Sequence, residues 1–599
     1  MKKTRTREND AVFFMLLGLT AVFFCWRCRY GFAEADEAFY PTIAYRLTQG
    51  DRLLVDEWHM SQLSSVLLYL PVLLFTRLTG GTAGIYLALR YLYVAVQCLV
   101  AATVYLRLRR YHSLGAAAGA LALAVYAPYG INALSYNSLG ILLMAMTGAL
   151  LVPAEEESRA AYILAGLSFA GSVLCCPYLI AVYLLYALFV FIPRKKKKLP
   201  AFYPRPFGLF TLGAAGLAIV FFFVGLAGAD LSRLDEILKG IFSDPAHPER
   251  TSLLKSVCQA VMDYPRLVFY HGHWRPGACM VLVLLMIPAA LLDKHRERHA
   301  PAYFLIGTIL TIAAEVLYVS AWNDPNFMMY AANVLALLCF FIAHRERAET
   351  LRRFAFLFWL PCMIYSGLII MASNQRQYAV FSAAACAVPG SLTVIAVTAR
   401  GIFKKEKAWL RRFSTATLAA LALLQIGGTA FLRYEYVIYQ KGNEDRIALQ
   451  TEHITEGPQK GIIANPTAAE EYATTVRVMK KLEALSRGGE VLPLTRNTWM
   501  FMGNYRNAAF FCVADRCGQR HARPSGDVLL AQPGKAAGCR LGRGEKCGVR
   551  GGILYPVRLH RRDDAGRHFS DAGRMSFFGS VSRRKKRGYS QDHRLSRWS

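Results

Sequence analysis

Carboxylates are scarce in this chain of 599 residues: 40 Asp and Glu stand against 70 Lys and Arg, and charged residues together make up only 18% of it. So thin a charged coat, beside 54% hydrophobic residues, excludes a soluble enzyme and describes a chain that crosses a bilayer repeatedly. Paired cysteine motifs are missing as well. Ten of the 14 cysteines precede residue 432, mostly inside apolar runs, and Cys25-Trp-Arg-Cys28 lacks the second pair that a zinc or redox centre needs. They read as packing residues. No small-residue cleavage site follows the first apolar run, where Trp26, Arg27 and Arg29 stand instead, so that run reads as a retained anchor. Repeated halves are absent, which argues against a transporter built from duplicated bundles.

What is present is a succession of apolar runs long enough to span roughly 30 Å of hydrocarbon. They cover 11–29, 83–107, 113–131, 138–153, 160–176, 177–193, 207–227, 276–292, 301–320, 327–343, 353–372, 378–398 and 410–432. The fold class is therefore an all-α polytopic membrane protein of about 13 transmembrane helices. The stretch 160–193 is divided in two because Pro177 interrupts it. Much of the formal charge of +30 sits in short loops between these runs, where Lys and Arg set topology. Membrane lipid, and no nucleic acid, is the expected partner of that charge.

With MKKTRTR ahead of the first span, the N-terminus is expected in the cytoplasm, and the basic clusters at 107, 194, 293, 344 and 399 then fall on the same side. The run 63–78 breaks that count and is read as a juxtamembrane or re-entrant helix on the outer face. Domains follow: 1–432 in the membrane, with a first outer loop 30–82 and a second 228–275, then 433–510 as an exported small α/β domain, then 511–599 as a basic tail. The second loop opens on DLSRLDEILKGIF, whose apolar spacing predicts a helix lying on the membrane surface. Localisation is the cell membrane, multi-pass, with the C-terminal domain outside.

Against the general scarcity of acids, the stretch from Glu34 to Gln62 concentrates Glu34, Asp36, Glu37, Asp51, Asp56 and Glu57 among aromatic residues. Two adjacent acids at a membrane mouth point to acid/base chemistry or a cation site. The alternative is that the pair solvates a loop or caps a helix starting near Pro41.

The sequence Asp36-Glu37-Ala-Phe-Tyr40, followed by IAYRLTQGDRLLVDEWH, resembles the first outer loop of the GT-C superfamily of glycosyltransferases. The resemblance is to the bacterial protein O-mannosyltransferase and lipid A aminoarabinose transferase group, family 39-like. It implies inverting transfer of a sugar from a polyprenyl phosphate donor to a hydroxyl of a lipid, glycan or protein acceptor, on the outer face of the cell envelope. Asp36 would then be the general base, with Glu37 orienting it or the acceptor. The chain departs from that group where relatives carry a Pro-Pro pair, having His59-Met-Ser-Gln62 instead.

Several further residues are candidates for the same cavity. Tyr40, Arg46, Asp56, Glu57, His59 and Gln62 belong to the first loop, and Tyr136 and Asn137 to the turn near residue 128. Outer-face cations for a phosphate leaving group are few, and Arg275 and Arg376 are favoured. His271 and His273 beside Trp274 leave a divalent metal ion open as a cofactor, with an interfacial cluster as the alternative. Arg90 and Glu315 lie inside apolar runs and are expected to face protein or water. A polytopic transporter or a non-catalytic envelope scaffold remains the alternative to a transferase.

Beyond residue 433, KGIIANP reads as a strand, TAAEEYATTVRVMKKLEALSR as an amphipathic helix and EVLPLT as a second strand, together a βαβ unit. From Cys512 the last 88 residues hold 16 Arg, 4 Lys and 7 acids with little periodicity. A slip of the reading frame near residue 510 is the expectation for that change, with a basic segment that binds anionic polymer as the alternative.

Overall fold

The structure is a computed structural model. It describes residues 2–56, 62–153, 159–191, 204–229, 231–232, 234, 253–269, 274–343, 348–371, 377–437, 446–486, 490–494, 498–502, 506–507, 527–530 and 555–557, leaving out the side chains of 2–7, 34–36 and some others. Compact contacts divide the chain into one unit of Met1–Lys481 with Asn497–Gly503, and another of Leu482–Arg496 with Asn504–Ser599.

The first unit is helical. Among the described residues, ten helices are long and apolar enough to cross a membrane, and four shorter ones are apolar. Every run expected to span contains a helix among its described residues. In chain order the helices are α1 (Lys2–Arg27), α2 (Glu34–Thr48), α3 (Gln62–Thr79), α4 (Ile85–Leu108), α5 (Ser113–Val125) and α6 (Tyr136–Leu151). Then come α7 (Arg159–Cys175), α8 (Ile180–Phe191), α9 (Pro204–Phe221), α10 (Leu253–Phe269) and α11 (Trp274–Leu292). The bundle ends with α12 (Arg296–Trp322), α13 (Asn326–Ile342), α14 (Glu349–Met371), α15 (Gln377–Lys405) and α16 (Ala408–Glu435).

The break between α7 and α8 falls at Pro177 as the sequence predicts. Proline forces the preceding Cys176 into an extended conformation, φ −143° and ψ 92°, so the helix stops and restarts. The run read as a juxtamembrane helix is α3, which is itself long and apolar enough to cross. The surface helix expected at 230–242 lies almost wholly outside the described residues.

The centre of the bundle is α15, whose apolar window is 94% buried, with α5 beside it at 72% including the turn that follows. Small residues let helices approach closely: a Cβ on Gly166 of α7 would stand 1.9 Å from the Phe210 carbonyl oxygen of α9, and one on Gly213 of α9 would stand 2.0 Å from that of Ile163. Backbone-to-backbone packing of this kind replaces the hydrophobic drive that lipid removes.

The same unit includes a segment after α16. Strands β1 (Glu452–His453) and β2 (Ile463–Ala464) pair antiparallel, and α17 (Pro466–Ser486) follows. Ile463 also bridges Tyr30 in parallel, with Gly31 N–H donating to its carbonyl at 2.7 Å. Gly84 and Tyr86, at the start of α4, donate to the carbonyls of Gly457 and Pro458. Tyr472 of α17 lies 4.6 Å from the Trp499 ring, and the turn Thr498–Met502 packs on α2. This segment thus closes over the end of α1 and over α2.

The second unit holds a sheet ordered β4 (Arg506–Asn507), β3 (Glu490–Leu494), β5 (Asp527–Leu530), β6 (Tyr555–Val557). One expectation is corrected. The strands flanking α17 belong to different sheets, so no βαβ unit forms; two-residue β2 finds its partners in β1 and in the backbone at Tyr30. In the same sheet β5 pairs antiparallel with β3, and β6 with β5.

Candidate functional site

The acidic pair lies within α2, which starts at Glu34 rather than near Pro41. Acids in a first helical turn offset the positive end of the helix dipole, so Glu34, Asp36 and Glu37 favour the earlier start. Pro41 then lies inside the helix and brings no N–H for the Glu37 carbonyl. The Thr42 hydroxyl donates to the Ala38 carbonyl at 2.7 Å and meets the Tyr86 hydroxyl at 3.3 Å, tying this turn to α4.

Glu37 is 2% exposed and both of its oxygens are taken. Arg90 of α4 donates from Nε to Oε1 and from Nη2 to Oε2 at 2.6 Å, and the Ala33 N–H adds a bond to Oε2 at 3.2 Å. The same guanidinium donates to the carbonyls of Cys28 at 2.5 Å and Gly31 at 2.7 Å, and the Phe32 ring lies 5.6 Å away. One buried fork therefore joins the end of α1, the linker and the first turn of α2 to α4. Asp36 lies in that turn; its side chain is outside the described residues.

Further along α2, Tyr40 is 6% exposed with its ring 5.7 Å from that of Tyr136, the first residue of α6. Ser135 and Ser138 cap α6 reciprocally, which fixes Tyr136 and the half-buried Asn137 at its start. Tyr40 and Tyr136, from distant parts of the sequence, thus meet at one end of the bundle, with Asn137 next to Tyr136 in α6.

The rest of the first loop is held by its own charges. Arg46 pairs with Asp51, whose carboxyl is raised from its ordinary range by burial, partly offset by the Arg46 charge. Asp56 accepts the Arg52 N–H at 2.7 Å, closing a turn, while Arg52 Nε donates to the Ala227 carbonyl at 2.7 Å. Leu54 has a positive φ of 63°, rare for a branched side chain, and its N–H donates to Gln62 Oε1 at 2.8 Å. Gln62 is 1% exposed. Arg46, Asp56 and Gln62 accordingly shape the loop around Leu53, whose N–H reaches the Gly225 carbonyl at 3.0 Å.

Of the remaining candidates, Glu57, His59, His271, His273 and Arg376 lie outside the described residues. Arg275 is exposed, with its guanidinium 5.2 Å from the Trp274 ring. Among the described residues, no group of three or more His, Cys, Asp or Glu side chains could hold a metal ion.

Sequence reasoning missed Asp324, in the turn between α12 and α13. It is 1% exposed, takes bonds from the Tyr318 hydroxyl at 3.2 Å and the Asn326 N–H at 2.9 Å, and burial pushes its carboxyl up to about 6. The signal was the turn Asn323-Asp324-Pro325-Asn326 between two apolar runs. Asn326 in turn accepts from the Tyr126 hydroxyl, which lies 3.0 Å from Ser382 Oγ.

No family model matches the chain, and no curated protein does. Among solved structures it is similar to an oligosaccharyltransferase of Archaeoglobus fulgidus, tethered to an acceptor peptide containing the NVT sequon, at 13% identity and a TM-score of 0.36. The match covers 70% of this chain and 54% of that one, so the chain spans about half its length. A likeness of that size fixes neither family nor activity.

Proposed function

We propose that the chain is a membrane glycosyltransferase that moves a sugar from a polyprenyl phosphate donor to an acceptor hydroxyl, with inversion. The acceptor oxygen attacks the anomeric carbon, the bond from that carbon to the phosphate oxygen breaks, and the lipid phosphate leaves as an anion. Asp36 takes the acceptor proton as the new bond forms, because a neutral hydroxyl is a poor nucleophile. Glu37 is a positioning residue, since both of its oxygens are held by Arg90 and Ala33.

The observation that carries this reading is that buried fork. It anchors the turn bearing Asp36 to α4 and to the end of α1, so a base placed there has a fixed backbone. Tyr40, Tyr136 and Asn137 at the neighbouring helix end supply contacts for the acceptor, and Arg275 and Arg376 cations for the departing phosphate. The reaction lies on the outer face, at the mouth of the bundle.

The test is transfer from a panel of polyprenyl phosphate sugars by the full chain in detergent. Asp36→Asn is expected to abolish consumption of the donor while the protein remains in the membrane, and full activity of that variant overturns Asp36 as base. Chelator added to the same assay decides whether His271 and His273 hold a divalent ion. If no donor in the panel is consumed by the unaltered chain, the transporter and scaffold readings take precedence.

A further inference from the structure

Glu315 lies in α12, about two turns before the helix ends at Trp322, and its side chain is 0% exposed. Gln425 faces it from a π-helical turn, Leu424–Gly428, within α16. Gln425 Nε2 donates to Glu315 Oε1 at 2.6 Å and to the Met328 carbonyl at 2.7 Å, which uses both amide hydrogens and fixes the orientation of the group. Among the described residues three oxygens are then buried without a hydrogen-bond partner: Glu315 Oε2, Gln425 Oε1 and Thr429 Oγ1. Thr429 stands about one turn beyond Gln425 on the same face of the segment.

Among the described residues no Lys, Arg or His pairs with Glu315. Of the titratable groups on the helices around it, Tyr318 bonds Asp324, Tyr330 bonds Tyr264, Tyr303 bonds Asp293, and Arg433 bonds Asn132 and Gln97. An isolated carboxylate in a dry interior is costly, and one amide hydrogen does not offset it. Polar groups in a membrane interior persist where they serve a pathway or a site, and π-turns recur at such places.

We propose that Glu315, Gln425 and Thr429 form an intramembrane site for one small monovalent cation, a proton or a sodium ion, which offsets the Glu315 charge. The donors are a carboxylate, an amide carbonyl and a hydroxyl, all hard oxygens suited to either ion. This site does not depend on the transferase reading, since it involves neither α2 nor any sugar.

The test uses the full chain in detergent and the hydrophobic reagent dicyclohexylcarbodiimide, which reacts with a protonated carboxyl. The carboxyl oxygen adds to the carbodiimide carbon and its proton passes to a carbodiimide nitrogen. Labelling of Glu315, read by mass spectrometry, is expected to fall about tenfold or more between about pH 5 and about pH 9. If sodium is the ligand, sodium also shields Glu315 relative to choline at equal ionic strength; if only a proton binds, it does not. Gln425→Leu and Thr429→Val should shift the labelling midpoint or remove the shielding. Labelling that is absent throughout, or equal at every pH with and without sodium, overturns the site. Thermal unfolding gives a second reading: the unaltered chain should respond to pH or sodium through this site, and Glu315→Gln should lose that response. A response unchanged in Glu315→Gln also overturns it.

Discussion

Arg90 and Glu37 form a two-pronged ion pair whose side chains are 3% and 2% exposed, 53 residues apart in sequence and joined across the end of the bundle. Removing one member leaves the other charge buried without its counterpart. Arg90→Ala or Glu37→Ala should each destabilise the protein by about 3–5 kcal/mol. Arg90→Lys should recover only part of the loss, because an ammonium cannot span both carboxylate oxygens and the carbonyls of Cys28 and Gly31. Thermal unfolding in detergent measures both. In the proposed transferase, Glu37→Gln should lower turnover more than donor binding, since it loosens the turn that carries Asp36.

Asp324 predicts a pH dependence whose sign is set by burial. Its carboxyl titrates near 6 in the fold, above its value in an unfolded chain, so between about pH 4 and about pH 6 the folded protein holds a proton that the unfolded one has lost. Stability contributed by this group is therefore full at the acid end and falls as pH rises through that window, by roughly 2–3 kcal/mol. Asp324→Asn keeps an oxygen for the Asn326 N–H and the Tyr318 hydroxyl, and should flatten the slope. Unfolding temperature against pH for the two proteins checks it, and equal slopes refute the assignment.

Two glycines on one helix make an internal comparison. A methyl group on Gly213 of α9 would meet the Ile163 carbonyl oxygen at 2.0 Å, whereas one on Gly216 would meet nothing within 4 Å among the described residues. Gly213→Ala should separate α7 from α9 and cost several kcal/mol, about 3 or more, because backbone cannot yield as a side chain can. Gly216→Ala should be neutral or stabilising by up to about 1 kcal/mol, since alanine is the better helix former. Expression yield and unfolding temperature of the pair separate packing from propensity.

The helices were legible in the sequence because a membrane span needs only a long apolar run, and Pro177 marks its own break. The partners were not. Arg90 stood out as a charge within such a run, but nothing local shows that its counterpart is Glu37 or that the Cys28 carbonyl shares it. The start of α2 was misplaced because Pro41 suggests a helix beginning, while the acidic first turn that decides the matter lies seven residues earlier. The two-residue strands β1 and β2 are too short for any alternation to register, and β2 is defined by its pairing with β1 and with Tyr30.

The same limit hid Arg433, which ends the last apolar helix and is 0% exposed with no carboxylate bonded to it among the described residues. It donates to Asn132 Oδ1 at 2.9 Å, to Gln97 Oε1 at 3.1 Å, and to the carbonyls of Ala124 and Val125 at 3.3 and 3.2 Å; the Phe24 ring lies 3.8 Å from its guanidinium. Those two carbonyls close α5, where helical acceptors run out of donors and the dipole favours a cation. Arg433 thus caps a helix some 300 residues away in sequence, which explains how a buried charge persists without an acid beside it. Arg433→Ala should cost about 3 kcal/mol or more through the acceptors it strands. Arg433→Lys should restore little, because a single ammonium cannot reach Asn132, Gln97 and the end of α5 together. Recovery of wild-type unfolding temperature by the lysine variant would show that charge alone, rather than the planar fork, holds this end of the bundle.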